Sequence, residues 1–318
     1  MNTHENGAPA FSVGPLCLGG NVFGWTADEA ASHRVLDAFV DGGFDFIDTA
    51  DMYSRWVPGH RGGESESIIG RWLERRGGRD RVVIATKVGM DMGEVGKGLG
   101  AAHIRASIDR SLARLKTDYV DLYYAHVEDS TTPLEETLAA FAELVAAGKV
   151  RFIGASNHGA ARLREALAVS DRLGLPRYRV LQPEYNLYSR GAFEAELQSL
   201  CVAEGIGVAP YYALASGFLT GKYRSEKDFG KSARGPRMAA YLNARGHAIL
   251  NALDVAAARH QVSPTAVAIA WLRKQPAILA PIASATSPDQ LTALMTGARL
   301  DLDAQTLAEL DAASRQPV

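Results

Sequence analysis

Residues 44–53, with the sequence FDFIDTADMY, join a short apolar run to two ionisable side chains that could do chemistry. The run is rich in aromatic and β-branched residues and follows a glycine pair, which predicts a buried strand. Asp48 ends this strand, and Tyr53 follows five residues later in a predicted loop. A carboxylate buried at a strand end is costly unless a cation or hydrogen-bond donors satisfy it. Asp48 therefore predicts a cationic partner elsewhere in the chain, with Tyr53 as a candidate proton donor beside it.

The rest of the chain alternates strand-like apolar runs with amphipathic helical segments. Strands are predicted at 15–20, 44–48, 81–88, 120–126, 150–157, 180–186, 206–214 and 277–283. Helices are predicted at 28–41, 64–76, 101–116, 134–147, 160–173, 192–204, 243–260 and 265–274, with extra helices near the C-terminus at 288–295 and 304–312. Eight parallel strands separated by helices close as a (β/α)8 TIM barrel of the α/β class.

We expect this barrel to form a single domain over residues 1–318, because no linker interrupts the alternation. An open, doubly wound sheet is the alternative arrangement of such units. That fold would need an early GxGxxG or GxxxxGK[ST] loop to bind a nucleotide, and neither motif occurs.

In a closed barrel the carboxyl ends of all strands meet at one rim, where barrel enzymes carry their active sites. The strand ends here carry Gly20, Asn21, Asp48, Lys87, His126, Ser156, Asn157, Gln182, Tyr211 and Ser284. Lys87 supplies the cation that Asp48 requires, and we expect its ammonium to make the Tyr53 phenol more acidic than a free one. His126 can hydrogen-bond to a substrate oxygen from a second side. Together these four side chains predict a pocket that polarises a carbonyl group.

Charge and composition argue against several other classes of protein. The formal net charge is −2, and no cluster of five or more Lys or Arg residues attracts nucleic acid or an anionic membrane. The first ten residues lack a signal-peptide pattern, no run of about 18 apolar residues occurs, and the two cysteines have no ligand spacing, so we expect a cytoplasmic protein. Metal-dependent hydrolysis is disfavoured, because residues 126–129 (HVED) form the only ligand-like cluster and no second His lies nearby.

The sequence resembles the aldo-keto reductases over nearly its whole length. The resemblance rests on GGFDFIDTADMYS, GGESESIIGRWL, VVIATKVG, DYVDLYYAHVED, KVRFIGASNH, LQPEYNL, VAPYYALASGFLTGKY and APIASATSPDQL, which lie in the order and at the spacing of that family. It implies that Asp48, Tyr53, Lys87 and His126 form a catalytic tetrad, with Tyr53 as the acid and a nicotinamide cofactor as the hydride donor. We refer to these four residues as the tetrad.

The same resemblance implies where the cofactor lies. Ser156, Asn157 and Gln182 would hold the carboxamide, and Tyr211 would stack on the nicotinamide ring. The loop with Leu214, Gly217, Lys222 and Arg234 would cover the pyrophosphate and adenosine, and Ser284, Thr286 and Gln290 match the segment near the adenosine phosphate, with Gly20, Asn21 and Asp48 also beside the cofactor. Residues 284–291 contain no Lys or Arg, and Ala293-Leu294 replaces the Glu-Asn pair that contacts adenine in the family. NADP(H) is favoured, with Arg234 as the best charged candidate for the 2′-phosphate, and NAD(H) is possible.

The expected activity is the reversible reduction of aldehyde, ketone or sugar-like carbonyls. The candidate pocket residues are aromatic and comprise Trp25, Trp56, Tyr124 and Tyr212. A small carbonyl compound is the expected partner, and the oligomeric state is open. Two alternatives remain: a cofactor-binding regulatory subunit with little turnover, and a barrel isomerase or aldolase in which Lys87 forms a Schiff base.

Overall fold

The computed structural model describes residues 11–315. The first ten residues, which are expected to lack a signal peptide, therefore lie outside the described part of the chain. Within that part, no helix has both the length and the apolar character needed to cross a membrane.

Eight parallel strands form one sheet. They are β1 (Cys17–Gly19), β2 (Phe46–Asp48), β3 (Val83–Val88), β4 (Val120–Ala125), β5 (Val150–Ser156), β6 (Val180–Gln182), β7 (Gly207–Val208) and β8 (Ile282–Ala283). Each strand pairs with its neighbours in chain order, and β8 pairs with β1. The remaining gap is closed by a parallel bridge between Val208 and Ile278. The prediction of a (β/α)8 barrel is confirmed.

Helices cover the outside of the barrel. They are α1 (Glu29–Asp41), α2 (Glu64–Arg76), α3 (Ala101–Leu115), α4 (Leu134–Ala146), α5 (Ala160–Leu173), α6 (Gln198–Glu204), α7 (Ala244–His260), α8 (Pro264–Arg273), α9 (Pro288–Arg299) and α10 (Ala304–Ser314). Local sequence explains several of their starts, because Asp28 and Asn243 each accept a hydrogen bond from the backbone amide three residues later.

Two apolar layers hold the strands. Cys17, Phe46, Leu122 and Tyr124 belong to the cluster that fills the barrel, whereas a larger cluster lies between the strands and the helices. Because side chains alternate along a strand, each strand serves both layers, and its last inward-pointing residue opens onto the upper rim.

Every predicted strand is shorter in the structure than in the prediction, and the differences are largest in the last three. The strand predicted at 277–283 covers only Ile282–Ala283. The strand predicted at 180–186 stops at Gln182, because the next residue is a proline and cannot donate to the ladder. The strand predicted at 206–214 covers only Gly207–Val208. Beyond it Tyr212 has φ 54° and Ala215 has φ 47°, and a left-handed backbone cannot continue a strand.

The predicted helix at 192–204 is also irregular at its start. Residues Phe193–Leu197 form a wide π-type turn before α6 begins. Such turns occur where a helix accommodates an extra residue.

Candidate active site

Lys87 is the centre of the site. It points into the barrel from β3, near the carboxyl ends of the strands, and its side chain has no exposed surface. Its Nζ donates hydrogen bonds to Asp48 Oδ2 at 2.6 Å, to the Thr49 carbonyl at 2.7 Å and to the Tyr53 hydroxyl at 2.7 Å. All three donors of the ammonium are therefore used. This arrangement leaves no role for Lys87 as a free amine nucleophile.

Asp48 is held from several directions. Gln182 Nε2 donates to its Oδ1 at 2.9 Å, and the Tyr53 hydroxyl lies 3.2 Å from its Oδ2. The predicted cationic partner is Lys87, at the distance of a charge-assisted hydrogen bond. Asp48 thus fixes the position and charge of the ammonium that contacts Tyr53.

Tyr53 differs from the expectation in one respect. We expected its phenol to be more acidic than usual, but burial and then the nearby Asp48 carboxylate raise its pKa well above the ordinary value. Burial likewise lowers the pKa of Lys87, although Asp48 opposes that shift. Tyr53 is therefore protonated at neutral pH, which is the state that a proton donor requires.

His126 lies at the end of β4, 6% exposed, with its ring 6.3 Å from the ring of Tyr53. Burial and then the Lys87 ammonium lower its pKa well below the ordinary value. The imidazole is therefore neutral at neutral pH and can donate one hydrogen bond to an oxygen atom.

Residues from three further strands form one hydrogen-bond network beside the tetrad. Ser156 Oγ donates to the Gln182 carbonyl at 2.9 Å, and Asn157 Nδ2 donates to the His126 carbonyl at 2.9 Å. The Tyr211 hydroxyl donates to Asn157 Oδ1 at 2.9 Å. Asn157 is exposed and has φ 56°, a strained conformation that is common at ligand sites.

A second strained segment of the site lies in the loop after β7. Tyr212, Ala215, Ser216 and Gly217 all have positive φ, between 47° and 104°. Leu214 lies within this run and its carbonyl accepts from the Gly217 amide at 2.8 Å. Successive left-handed residues turn backbone amides toward one side, and such concave backbone binds anions.

Two cations lie farther along the same loop. The exposed Lys222 has its Nζ 5.1 Å from the ring of Tyr223. Arg234 is partly buried and its guanidinium lies 5.1 Å from the ring of Trp25, on the loop after β1. Within residues 11–315 the Arg234 guanidinium forms no salt bridge and no hydrogen bond.

The ends of β1 and β8 approach each other closely. Ser284 Oγ donates to Asn21 Oδ1 at 2.6 Å, and a Cβ added at Gly19 would lie 2.7 Å from Ser284 Oγ. Gly20 instead faces α2, where an added Cβ would lie 2.9 Å from Ser65 Oγ. Thr286 donates through its amide to Gln290 Oε1 at 3.1 Å, at the start of α9. The amino end of a helix carries the positive end of the helix dipole and favours anions. The exposed Asn157 amide, the strained loop and this helix start fit the parts of a nicotinamide dinucleotide.

Aromatic side chains form a wall next to Tyr53. The rings of Trp25 and Trp56 lie 5.6 Å apart, and Trp56 lies 6.2 Å from Tyr53. Tyr212 is partly buried on the loop after β7. Tyr124 has no exposed surface and belongs to the cluster that fills the barrel, so it lies beneath the tetrad and adds nothing to this wall. Its position follows from β4, where it points inward between Leu122 and the rim.

Two buried carboxylates near the site, Asp51 and Glu66, were not predicted from the sequence. Asp51 lies two residues before Tyr53, and the Glu66 carboxylate raises the pKa of Asp51. A signal for them was present. Glu66 shares the buried face of α2 with Ile69 and Leu73, at spacings of three and seven residues, and a charge on an apolar helix face indicates a buried partner.

Comparison with known proteins agrees with this geometry. Residues 15–315 match the model of the Aldo/keto reductase family. The chain is 33% identical to Protein tas of Escherichia coli over 98% of this chain and 97% of that protein. It is 32% identical to norsolorinic acid reductase of Emericella nidulans, over 94% of this chain and 78% of that protein. It is 31% identical to an aryl-alcohol dehydrogenase of Pestalotiopsis microspora, over 98% of this chain and 82% of that protein. With eight parallel strands and this match over nearly its whole length, the chain belongs to the aldo/keto reductase family.

Proposed function

We propose that this oxidoreductase reduces carbonyl compounds to alcohols, reversibly, with NADPH preferred over NADH and with Tyr53 as the acid. The observation that carries the proposal is the chain of contacts from Tyr53 through Lys87 to Asp48, with distances of 2.7 and 2.6 Å. A buried phenol held by an ammonium is a proton donor whose position is fixed.

Each member of the tetrad has a separate task. Tyr53 donates a proton to the carbonyl oxygen and takes it back in the reverse direction. Lys87 stabilises the phenolate that remains, and Asp48 holds Lys87 in place. The neutral His126 orients the same oxygen through a hydrogen bond. The cofactor, when bound, supplies or accepts the hydride.

The wall of Trp25, Trp56 and Tyr212 supports aromatic carbonyl compounds as a substrate class, because flat rings stack on such side chains. Two relatives are named as a norsolorinic acid reductase and an aryl-alcohol dehydrogenase, which agrees with this choice. We propose that aryl aldehydes react faster than aliphatic aldehydes of equal size.

The test is a panel of aryl, aliphatic and sugar aldehydes, assayed with NADPH and NADH. We expect Tyr53→Phe to lose about 10²–10⁴-fold in kcat while keeping its cofactor affinity. Tyr212→Phe is the matched control, since it removes a hydroxyl from the same pocket and should retain most of kcat. Full activity of Tyr53→Phe would refute its role as the acid. Tight cofactor binding with no turnover over the whole panel would favour the regulatory-subunit alternative.

Arg234 is the proposed source of the NADPH preference. Its guanidinium has no anionic partner within residues 11–315, and burial lowers its pKa, so a phosphate dianion would be a favourable partner. Arg234→Ala should weaken NADPH binding by about 1.5–3 kcal/mol, roughly ten- to a hundredfold, and leave NADH binding unchanged. Arg237→Ala is the control, because Arg237 is exposed in the same segment. Equal loss of both cofactors in Arg234→Ala would contradict the assignment.

A further inference from the structure

A second cluster of ionisable groups lies behind Lys87, on the outer side of the barrel. Thr86 precedes Lys87 on β3 and points toward the helices, where its Oγ1 donates to Glu66 Oε1 at 2.5 Å. Arg114 Nε, on α3, donates to Glu66 Oε2 at 2.7 Å. Glu66 has no exposed surface. Its carboxylate forms an ion pair with the Arg114 guanidinium and accepts a hydrogen bond from the Thr86 hydroxyl.

Asp51 lies in this cluster with one carboxyl oxygen unpaired and with the adjacent Met52 amide as a hydrogen-bond donor. It is 3% exposed, and its Oδ1 is buried with no hydrogen bond to any of residues 11–315. The Tyr123 hydroxyl is buried and unpaired in the same way. Gly62 packs so closely that an added Cβ would lie 2.8 Å from the Asp51 carbonyl oxygen. The start of α2 is therefore fitted onto the turn that contains Asp51.

The groups that face Asp51 come from four elements. Glu66 approaches from α2, Arg114 from α3, Lys87 from β3 and Tyr123 from β4, and Arg110 of α3 also acts on Tyr123. The guanidinium of Arg114 is already bonded to Glu66, and the ammonium of Lys87 has no donor left. Burial, and then the neighbouring Glu66 carboxylate, raise the pKa of Asp51 to about 7.

Asp51 is also the middle of the turn that ends in Tyr53. On one side the Thr49 carbonyl accepts from Lys87 at 2.7 Å, and on the other Ser54 Oγ donates to the Phe23 carbonyl at 2.8 Å. Both ends of the turn are therefore fastened by direct hydrogen bonds. Between them, Asp51 is held by packing and by the charge of its surroundings.

We propose that Asp51 is a positioning residue for Tyr53: as a neutral acid it keeps the turn packed against α2 and α3, and its ionisation loosens the turn and impairs proton donation. An ionised Asp51 would be a second buried carboxylate beside Glu66, with one guanidinium for the two charges, and this repulsion favours movement of the turn toward water. Because the turn is fixed at its ends, the movement changes the 3.2 Å approach of Tyr53 to Asp48 in particular. The inference rests on the proposed carbonyl reduction.

The first test is the pH dependence of kcat for aldehyde reduction with saturating NADPH. We expect the wild type to lose about tenfold in kcat between pH 6 and 8, since small displacements of a reacting group are costly. Asp51→Asn, which cannot ionise, should keep its low-pH kcat through this range, with little change in KM. Asp121→Asn is the matched control and should keep the wild-type profile, because Asp121 is buried at the other end of the barrel.

Glu66→Gln gives a second variant. Removal of the Glu66 charge lowers the pKa of Asp51 and removes the repulsion that moves the turn. The loss of kcat should therefore be smaller than in the wild type, with its midpoint at lower pH. An unchanged midpoint in Glu66→Gln, or a wild-type profile in Asp51→Asn, would overturn the proposal.

Urea unfolding separates this inference from the proposed function. Between the ordinary pKa of an aspartate and about 7, the unfolded chain has lost the Asp51 proton and the folded chain has not. The urea midpoint of the wild type should therefore fall relative to that of Asp51→Asn as pH rises from 4 to 7, and then stay level. A difference that does not vary with pH would overturn the role of Asp51. Absence of aldehyde turnover in the wild type would instead refute the proposed function, whatever the unfolding data show.

Discussion

The barrel carries two buried aspartates paired with cations, one near each end. At the upper rim Asp48 is bonded to Lys87, and both side chains are at most 1% exposed. At the lower end Asp121, at the start of β4, is bonded to Arg79 at 2.7 Å and Arg151 at 2.9 Å. Asp121 Oδ2 also accepts from the Ile84 amide at 2.9 Å. The two sites use the same kinds of charge but differ in what surrounds them.

In the lower site the Asp121 carboxylate is fully satisfied by protein groups, although Arg151 is half exposed to solvent. Both guanidinium groups lie 4.1 Å from the ring of Tyr119, and Asp121 has bonds to both of its oxygens. The upper site instead has a hydroxyl at its edge, on Tyr53, which faces an aromatic wall. An ion pair whose groups are all bonded within the protein contributes to the fold. An ion pair that holds a proton donor next to an accessible aromatic surface can act on another molecule.

The largest expected effect comes from breaking the upper pair. Lys87→Met leaves Asp48 as an uncompensated buried charge, which should lower the free energy of unfolding by about 3–5 kcal/mol. It should also lower kcat by about 10²–10⁴-fold, because Tyr53 loses its ammonium. Urea unfolding and steady-state kinetics measure the two effects.

The double variant Lys87→Met with Asp48→Asn is the control for charge. It should recover most of the lost stability and none of the turnover. Recovery of turnover would contradict the role of Lys87 beside Tyr53.

Breaking the lower pair should affect stability alone. Asp121→Asn weakens hydrogen bonds to charged groups, at a cost of about 1.5–3 kcal/mol in the free energy of unfolding. Its kcat, measured well below the unfolding temperature, should remain within twofold of the wild type, an order-of-magnitude expectation for a distant site. A large loss of kcat would show that the two ends of the barrel are coupled.

A smaller effect is expected from pH at the upper site. Because the pKa of His126 is lowered in the folded protein, the unfolded chain takes up a proton below its ordinary pKa of about 6.5 and the folded chain does not. Stability from this group is present above that pH and is lost as pH falls, by up to about 2 kcal/mol at pH 5. His126→Asn should remove this part of the acid destabilisation in urea titrations. An identical pH dependence in the variant would argue against a neutral, buried imidazole.

The smallest effect should come from the wall of the upper site. Trp56, which is 44% exposed, contributes stacking worth about 0.5–1.5 kcal/mol, so Trp56→Ala should raise KM for aryl aldehydes by roughly two- to tenfold. KM for acetaldehyde is the internal control and should change little. An equal rise for both substrates would remove Trp56 from the substrate site.

The sequence predicted the barrel and the pairing of Asp48 with Lys87 because both depend on local patterns. Helix bounds such as Glu64–Arg76 and Ala160–Leu173 follow directly from apolar spacing and terminal glycines. The pairing of Asp48 with Lys87 follows from the rule that buried charges have partners. Such arguments use only residue type and position on a strand.

Other features depend on how the elements pack against one another, which the sequence alone does not show. The pKa of Tyr53 results from opposing effects of burial and nearby charges, which a sequence does not weigh. The interior position of Tyr124 depends on the register of β4, where a shift of one residue reverses the face. Asp51 has no cationic partner because the nearby Arg114 guanidinium of α3 is bonded to Glu66.

The two shortest strands of the barrel, β7 and β8, meet at one seam. These strands span two residues each, whereas β4 and β5 span six and seven. Four backbone bonds join the seam. The Val208 amide donates to the Ala277 carbonyl and the Leu279 amide to the Val208 carbonyl, both at 2.8 Å. The Ile282 amide donates to the Pro210 carbonyl at 2.9 Å, and the Ala280 amide lies 3.4 Å from the Val208 carbonyl. Segments with few ladder bonds open most readily, so we expect these amides to exchange with solvent before those of β4. Since the strained loop leaves β7 and α9 follows β8, opening of this seam would displace both segments together.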